Sequence, residues 1–329
     1  TRKDWRNRGL IRGLTGRFNQ ILADEGYLVS MIQGIAYFYR QFGYEYAIPL
    51  ETQVYLEFRH IAPSKKEAPV PGVSLRAASE SDIPFLMSSY ETHIATFGIC
   101  ARRSEAEWRF LLGPSMRTDY GADTYTIETQ EDSNRVQVGY CRIPRKGFGE
   151  ALILGECSEL EGPLFPGLFR ELMKMAVDRE KPFIRLNLGP THSAVKAAID
   201  AGAMQADPYG WQIRISDPAG FLRRILPVLN ARLAVSDFGG QSGIFIINSF
   251  KGKIEILYSG GEIKEIRDGT GAKGDEASIP PNLLGPLFLG QKNLTECKSF
   301  YPDLEGSPRS LRLFSTLFTP MDAFLHCPY

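Results

Sequence analysis

The sequence predicts a mixed α/β (α+β) protein of more than one domain. Three observations lead there. Alternating, strand-like runs and helix-periodic runs follow one another along the whole chain. Its 329 residues suggest two or three domains rather than one. Two breaks, a polar stretch from Pro63 to Pro71 and the dipeptide Asp217-Pro218, separate groups of such runs.

The elements follow in order. Leu10, Leu14, Phe18 and Ile21-Leu22 share a face at helical spacing, which predicts a helix over 9–24 that stops at Gly26. Residues 27–33 read as a strand, an aromatic segment comes next, and a second strand is expected from Gln53 to His60. After Val73, the run Ser79-Glu80-Ser81-Asp82 leads into a helix, and Glu105 to Leu112 forms another. Strands are expected at 123–128, 136–143, 151–154 and 183–188, with a helix over 166–178. From Asp217 a helix is expected over 219–233, then strands at 242–249, 253–258 and 262–266. A flexible turn at Gly269 to Lys273, a helix from Pro280-Pro281 to Leu289 and a helix at 311–318 complete the chain.

Composition narrows the function classes. Lys plus Arg number 38, as do Asp plus Glu, so the basic excess of a nucleic-acid binder is missing and no such partner is expected. No apolar run approaches the ~20 residues that span a bilayer, and no signal peptide opens the chain. No membrane partner is expected. Cys100, Cys141, Cys157, Cys297 and Cys327 are odd in number and include no Cys-x-x-Cys pair, which argues against a disulfide framework or a zinc site. No metal is expected, and reduced thiols suit a cytoplasmic location. Asn293-Leu294-Thr295 matches a glycosylation sequon, which is coincidental in a cytoplasmic protein. Trp108 and Trp211 read as core or domain-interface residues.

The segment Arg6-Asn7-Arg8-Gly9-Leu10-Ile11 carries the chemistry. A helix start offers unpaired N–H groups and partial positive charge. Gly9 lets an anion approach the backbone, and Arg6 and Arg8 add charge. Such a seat suits a pyrophosphate, although a basic helix start is by itself more often a solvated face.

This segment resembles the acetyl-CoA pyrophosphate loop of the GNAT N-acetyltransferases, Gln/Arg-x-x-Gly-x-Gly/Ala. Arg6 and Gly9 match, and Ile11 departs from the small final residue. Further on, Gly34-Ile35-Ala36-Tyr37-Phe38-Tyr39-Arg40-Gln41-Phe42-Gly43-Tyr44 resembles the Tyr-x-x-Phe-Gly-Tyr/Phe ending of GNAT domains. The order of regions is similar to the enhanced intracellular survival protein family. It implies the C-terminal part of a GNAT domain over 1–68, a second, degenerate GNAT-like domain over 73–215, and a sterol-carrier-like domain over 217–329. In the second domain Pro163 to Phe169 stands where a pyrophosphate loop would be. Only five residues precede Arg6, and the opening lacks a start Met, so upstream residues of the native protein are expected.

The resemblance implies transfer of an acetyl group from acetyl-CoA to a primary amine by direct attack. It places the general acid at Tyr39, with Tyr37 and Tyr44 as weaker candidates, because an ordinary phenol titrates above an ordinary thiol. It places the base at the C-terminal carboxylate of Tyr329. His326 is the rival base, although a lone His near a chain end is more often merely exposed. His93 and His192 have no motif partners and read as structural, and nothing around Cys327 makes it a nucleophile. Acetyl-CoA and an amine (an aminoglycoside, a polyamine or a protein lysine) are the expected partners, and the resemblance admits a homo-oligomer. A different class stays open: a non-catalytic protein holding an apolar ligand in its C-terminal domain.

Overall fold

The computed structural model describes residues 2–61, 72–131, 134–147 and 149–326. The expected linker from Pro63 to Pro71 therefore lies outside the described residues. The chain divides into two compact units. One joins the residues up to Ile48 with Gly210–Asp322, and the other joins Pro49–Tyr209 with the chain from Ala323 onward. A consecutive division at 68/73 and 215/217 cuts the chain differently.

In the first unit, the helix Leu10–Asp24 ends as its composition dictates. Gly26 sits at φ 74°, and the Tyr27 N–H returns to the Leu22 carbonyl at 2.8 Å, a Schellman closure. The strand Val29–Ile32 then pairs antiparallel with Gly210–Ile215, Val29 opposite Ile215 and Ile32 opposite Gln212. Gly210–Ile215 is the central strand, Glu45–Pro49 flanks its other side, and Val29–Ile32 is an edge. A five-stranded sheet follows in the order Glu262–Asp268, Lys253–Ser259, Gly243–Asn248, Asp275–Ser278, Glu305–Gly306. Its apolar packing includes Phe221 stacked on Phe288 (6.4 Å, 4°) and Phe288 against Phe318 at 4.5 Å.

The second unit carries two four-stranded sheets. One runs Met204–Gln205, Thr52–Leu56, Ile184–Leu188, Leu152–Leu154, and the other Val73–Ala77, Ala122–Glu131, Asn134–Pro144, Glu156–Cys157. The helix Phe165–Asp178 buries Phe165, Leu168, Phe169, Leu172 and Ala176 in the main core of this unit. A satellite core gathers Ile83, Leu86, Tyr90, Ile94, Trp108, Leu111 and Tyr140.

Several expectations need correction. The strand expected to reach His60 ends at Leu56, opposite Ile184, where its partner strand begins, and Phe58–His60 is one tight turn. The helix expected over 219–233 is two, Pro218–Arg224 and Leu226–Ala234. Pro227 lacks an N–H and its ring opposes the preceding turn, so it serves as the start of the second helix. The turn at 269–273 is not loose: the Glu255 carboxylate accepts the N–H groups of Thr270, Gly271 and Ala272 at 2.8–3.1 Å. The strands Glu45–Pro49, Val73–Ala77 and Gly210–Ile215 and the helix Leu294–Lys298 escaped periodicity, as did two further elements. Asp275–Ser278 is a polar strand running parallel to Gly243–Asn248, and Ser193–Asp200 is a short helix capped by His192.

Candidate functional site

The N-terminus of the helix Leu10–Asp24 has the features expected of an anion seat. Gly9 is its N-cap in the left-handed region, at φ 71°, and Asn7 is also at positive φ, 62°. Among the described residues no side chain caps the helix, and its first turn holds no acidic residue. A Cβ placed on Gly9 would meet nothing within 4 Å, so the approach is open. Arg6 and Arg8 are exposed, and the Arg8 guanidinium lies over the Trp5 ring at 4.8 Å. Leu10 and Ile11 are exposed too. A helix start of this kind offers backbone N–H groups to an anion.

The aromatic segment sorts its tyrosines by environment. Tyr44 is buried, and its hydroxyl bonds the Ser30 hydroxyl at 2.6 Å, a structural role. Tyr37 is 74% exposed, at φ 67°, and its N–H donates to the Tyr46 hydroxyl. Tyr39 is half-buried, edge-on to Phe38 at 5.1 Å and to Tyr44 at 6.2 Å. Among the described residues its hydroxyl has no hydrogen-bond partner. Gly34 makes room for it: a Cβ there would fall 2.3 Å from the Tyr39 ring. The segment therefore holds the Tyr39 ring by close packing and leaves its hydroxyl available. Tyr37, Arg40 and Tyr44 also line a pocket of about 790 Å³ with Arg214, Lys251 and Lys253, which Tyr39 does not join.

Tyr329 and Cys327 lie outside the described residues. His326 does not, and the expectation that it is exposed is wrong: it is 7% exposed. Ala323–Phe324 pairs parallel with Ile99–Cys100, which draws His326 into a polar cluster within the second unit. Its ring meets Tyr90, His93 and Phe324 edge-on at 5.4, 5.1 and 4.7 Å. Its carbonyl accepts from Arg103 at 3.3 Å. Burial, only partly offset by Glu156, lowers the His326 imidazole to about 3, and burial with His192 nearby lowers His93 to about 4.

Beneath it, Arg103 makes two bonds of 2.7 Å to Glu156, which also accepts from the Tyr140 hydroxyl at 2.7 Å. Arg103 stacks over Tyr90 at 4.4 Å and Trp108 at 5.1 Å. Burial alone would raise the Glu156 carboxyl, but Arg103 outweighs it and holds the group well below the usual carboxylate range. No local pattern announces this cluster. Its members come from separate elements, and only the capping pattern at Ser104-Glu105-Ala106-Glu107 marked the nearby helix start.

No family model matches the chain, and no curated protein does. Solved structures do match, over nearly its full length. A GCN5-related N-acetyltransferase from Anabaena variabilis superposes with a TM-score of 0.63 at 14% identity, covering 98% of this chain and 78% of that one. Eis1 from Mycobacterium abscessus gives 0.55 at 17%, covering 99% and 80%. A protein of unknown function from Enterococcus faecalis, described as a probable N-acyltransferase, gives 0.64 at 16%, covering 99% and 79%. Identity this low speaks to architecture alone. The chain shares the fold of the GCN5-related N-acetyltransferases.

Proposed function

We propose that the protein is an acetyl-CoA-dependent N-acetyltransferase acting on a primary amine, with the domain order of the enhanced intracellular survival proteins. One observation carries the reading: in a chain of this fold, the helix Leu10–Asp24 starts on a left-handed, uncapped glycine next to Arg6 and Arg8. Acetyl-CoA supplies an acyl group activated as a thioester. The N–H groups of Gly9 and Leu10 and the two guanidinium groups hold its pyrophosphate, and Asn7 and Ile11 flank them. The C-terminal carboxylate of Tyr329 takes a proton from the acceptor ammonium, so that a neutral nitrogen forms the new N–C bond. As the C–S bond breaks, the Tyr39 phenol gives its proton to sulfur, and the proton still on the acylated nitrogen restores the phenol, leaving a neutral amide. Amine acetylation is thus complete without a histidine.

The cofactor assignment is tested by calorimetry on the full-length protein. Replacing Arg6 and Arg8 by Ala is expected to weaken CoA binding by ~1–3 kcal/mol per charged hydrogen bond lost. Unchanged affinity refutes the seat. A full-length protein that does not bind CoA at all, yet takes up an apolar ligand, refutes the enzyme and supports the non-catalytic reading. A C-terminal extension that moves the Tyr329 carboxylate is expected to cut turnover nearly as much as deleting Tyr329, with CoA affinity retained.

A further inference from the structure

The second unit contains a set of side chains that acyl transfer does not use. His93, on the helix Ile83–Ile94, is 4% exposed, and among the described residues its Nδ1 has no hydrogen-bond partner. That atom lies 3.7 Å from Glu159 Oε1, and His192 Nδ1 lies 3.8 Å from the same oxygen. All three ligand atoms fall within 4.8 Å of one another. Tetrahedral zinc bonds of ordinary length put neighbouring ligand atoms about 3.4 Å apart. Small side-chain rotations bring this set to that spacing.

We infer that His93 Nδ1, His192 Nδ1 and a Glu159 carboxylate oxygen form a binding site for one zinc ion, with a fourth position open to solvent. The surroundings are those of a ligand set. His192 Nδ1 accepts the Ala194 N–H at 3.0 Å, so its Nε2 carries the proton and donates to the Cys157 carbonyl at 2.8 Å. That outward bond fixes the tautomer in which Nδ1 is unprotonated, as second-shell bonds do around metal-bound histidines. The Ala194 N–H shares this lone pair and must yield it to the ion, which costs one neutral bond. Glu159 is oriented by the Ser193 N–H, at 3.3 and 3.4 Å to its two oxygens. His93 and Glu159 line a pocket of about 350 Å³ with Ser88, Ser89, Thr92 and Ser158, which gives an ion its entry and a water the open position. Cysteine spacing said nothing about this set because it contains no cysteine.

The test is zinc titration of chelator-treated full-length protein by calorimetry, with cobalt(II) as an optical probe of the same site. One ion per chain is expected, with the visible bands of a low-coordinate cobalt site and a raised melting temperature. Glu159→Gln, a change at an exposed side chain, and His93→Ala are each expected to weaken binding by at least ~10-fold. His60→Ala should leave it unchanged. No binding, or binding that survives both Glu159→Gln and His93→Ala, overturns the site. CoA affinity is measured on the same samples, so a failed zinc site and a failed acetyl-CoA reading are told apart.

Discussion

Arg103 shows what a single buried charge does in this molecule. It is paired in two bonds with Glu156, and both side chains are nearly inaccessible. Burying such a pair adds little net stability, but breaking it leaves the survivor uncompensated. Arg103→Met is therefore expected to destabilise the protein by ~3–5 kcal/mol in urea unfolding, with part of the loss recovered in Arg103→Met/Glu156→Gln. A loss confined to a few tenths of a kcal/mol would mean that water reaches Glu156. Gly34 makes a different point. A methyl group at 34 overlaps the Tyr39 ring at 2.3 Å, so Gly34→Ala must displace that ring. Turnover should fall while CoA affinity holds, because Gly34 lies outside the Arg6–Ile11 segment. Equal losses in both would place the effect on the fold instead.

At the scale of elements, local signals were the most legible. Ser104 caps the helix Glu105–Leu112 and accepts from the Glu107 N–H, while the Glu107 carboxylate bonds the Ser104 N–H at 2.6 Å. Ser104→Ala is expected to cost about 1 kcal/mol in unfolding free energy, because this helix carries the buried Trp108. The polar strand Asp275–Ser278 was not legible. Its acidic residues face partners elsewhere in the sequence, Glu276 bonding Asn248 at 2.8 Å and Lys253 at 2.7 Å, so no alternation of apolar residues announced it.

Glu255 likewise looks like an ordinary strand residue in sequence, yet it organises the 269–273 turn. Burial opposes its ionisation, but the Ala272 and Thr270 N–H groups and Arg267 pull it from 4.5 down to about 2. A carboxyl lowered in the folded state stabilises the fold above its unfolded value. That stability drains away as pH falls from about 4.5 toward about 2. Glu255→Gln should flatten acid unfolding across that window, and an unchanged acid limb would contradict the assignment.

For the molecule as a whole, the sequence conveyed the class of fold and many of its elements, but neither the central strand Gly210–Ile215 nor which distant pieces meet. Thr52–Leu56 pairs with Ile184–Leu188, and Val29–Ile32 with Gly210–Ile215, pairings that no local pattern encodes. His93, His192 and His326 each looked solitary because nothing near them in sequence marks a site, yet their rings lie within 5.2 Å in the chains of contact His93–His192 and His93–His326. The segment proposed to seat acetyl-CoA could be read as a candidate for the opposite reason: a helix start is local, and its six residues are consecutive. The helix behind it leaves Leu10, Leu14, Phe18 and Ile21 exposed at helical spacing.

Release of free thiol from acetyl-CoA by the full-length protein, followed with an aminoglycoside, a polyamine and a lysine peptide as acceptors, tests the central claim most directly. The account predicts release that depends on at least one of these amines. It also predicts a drop of ~100-fold or more in Tyr39→Phe with CoA affinity unchanged, the range of a lost general acid. Release independent of every amine, or a Tyr39→Phe enzyme running at the unaltered rate, would contradict it.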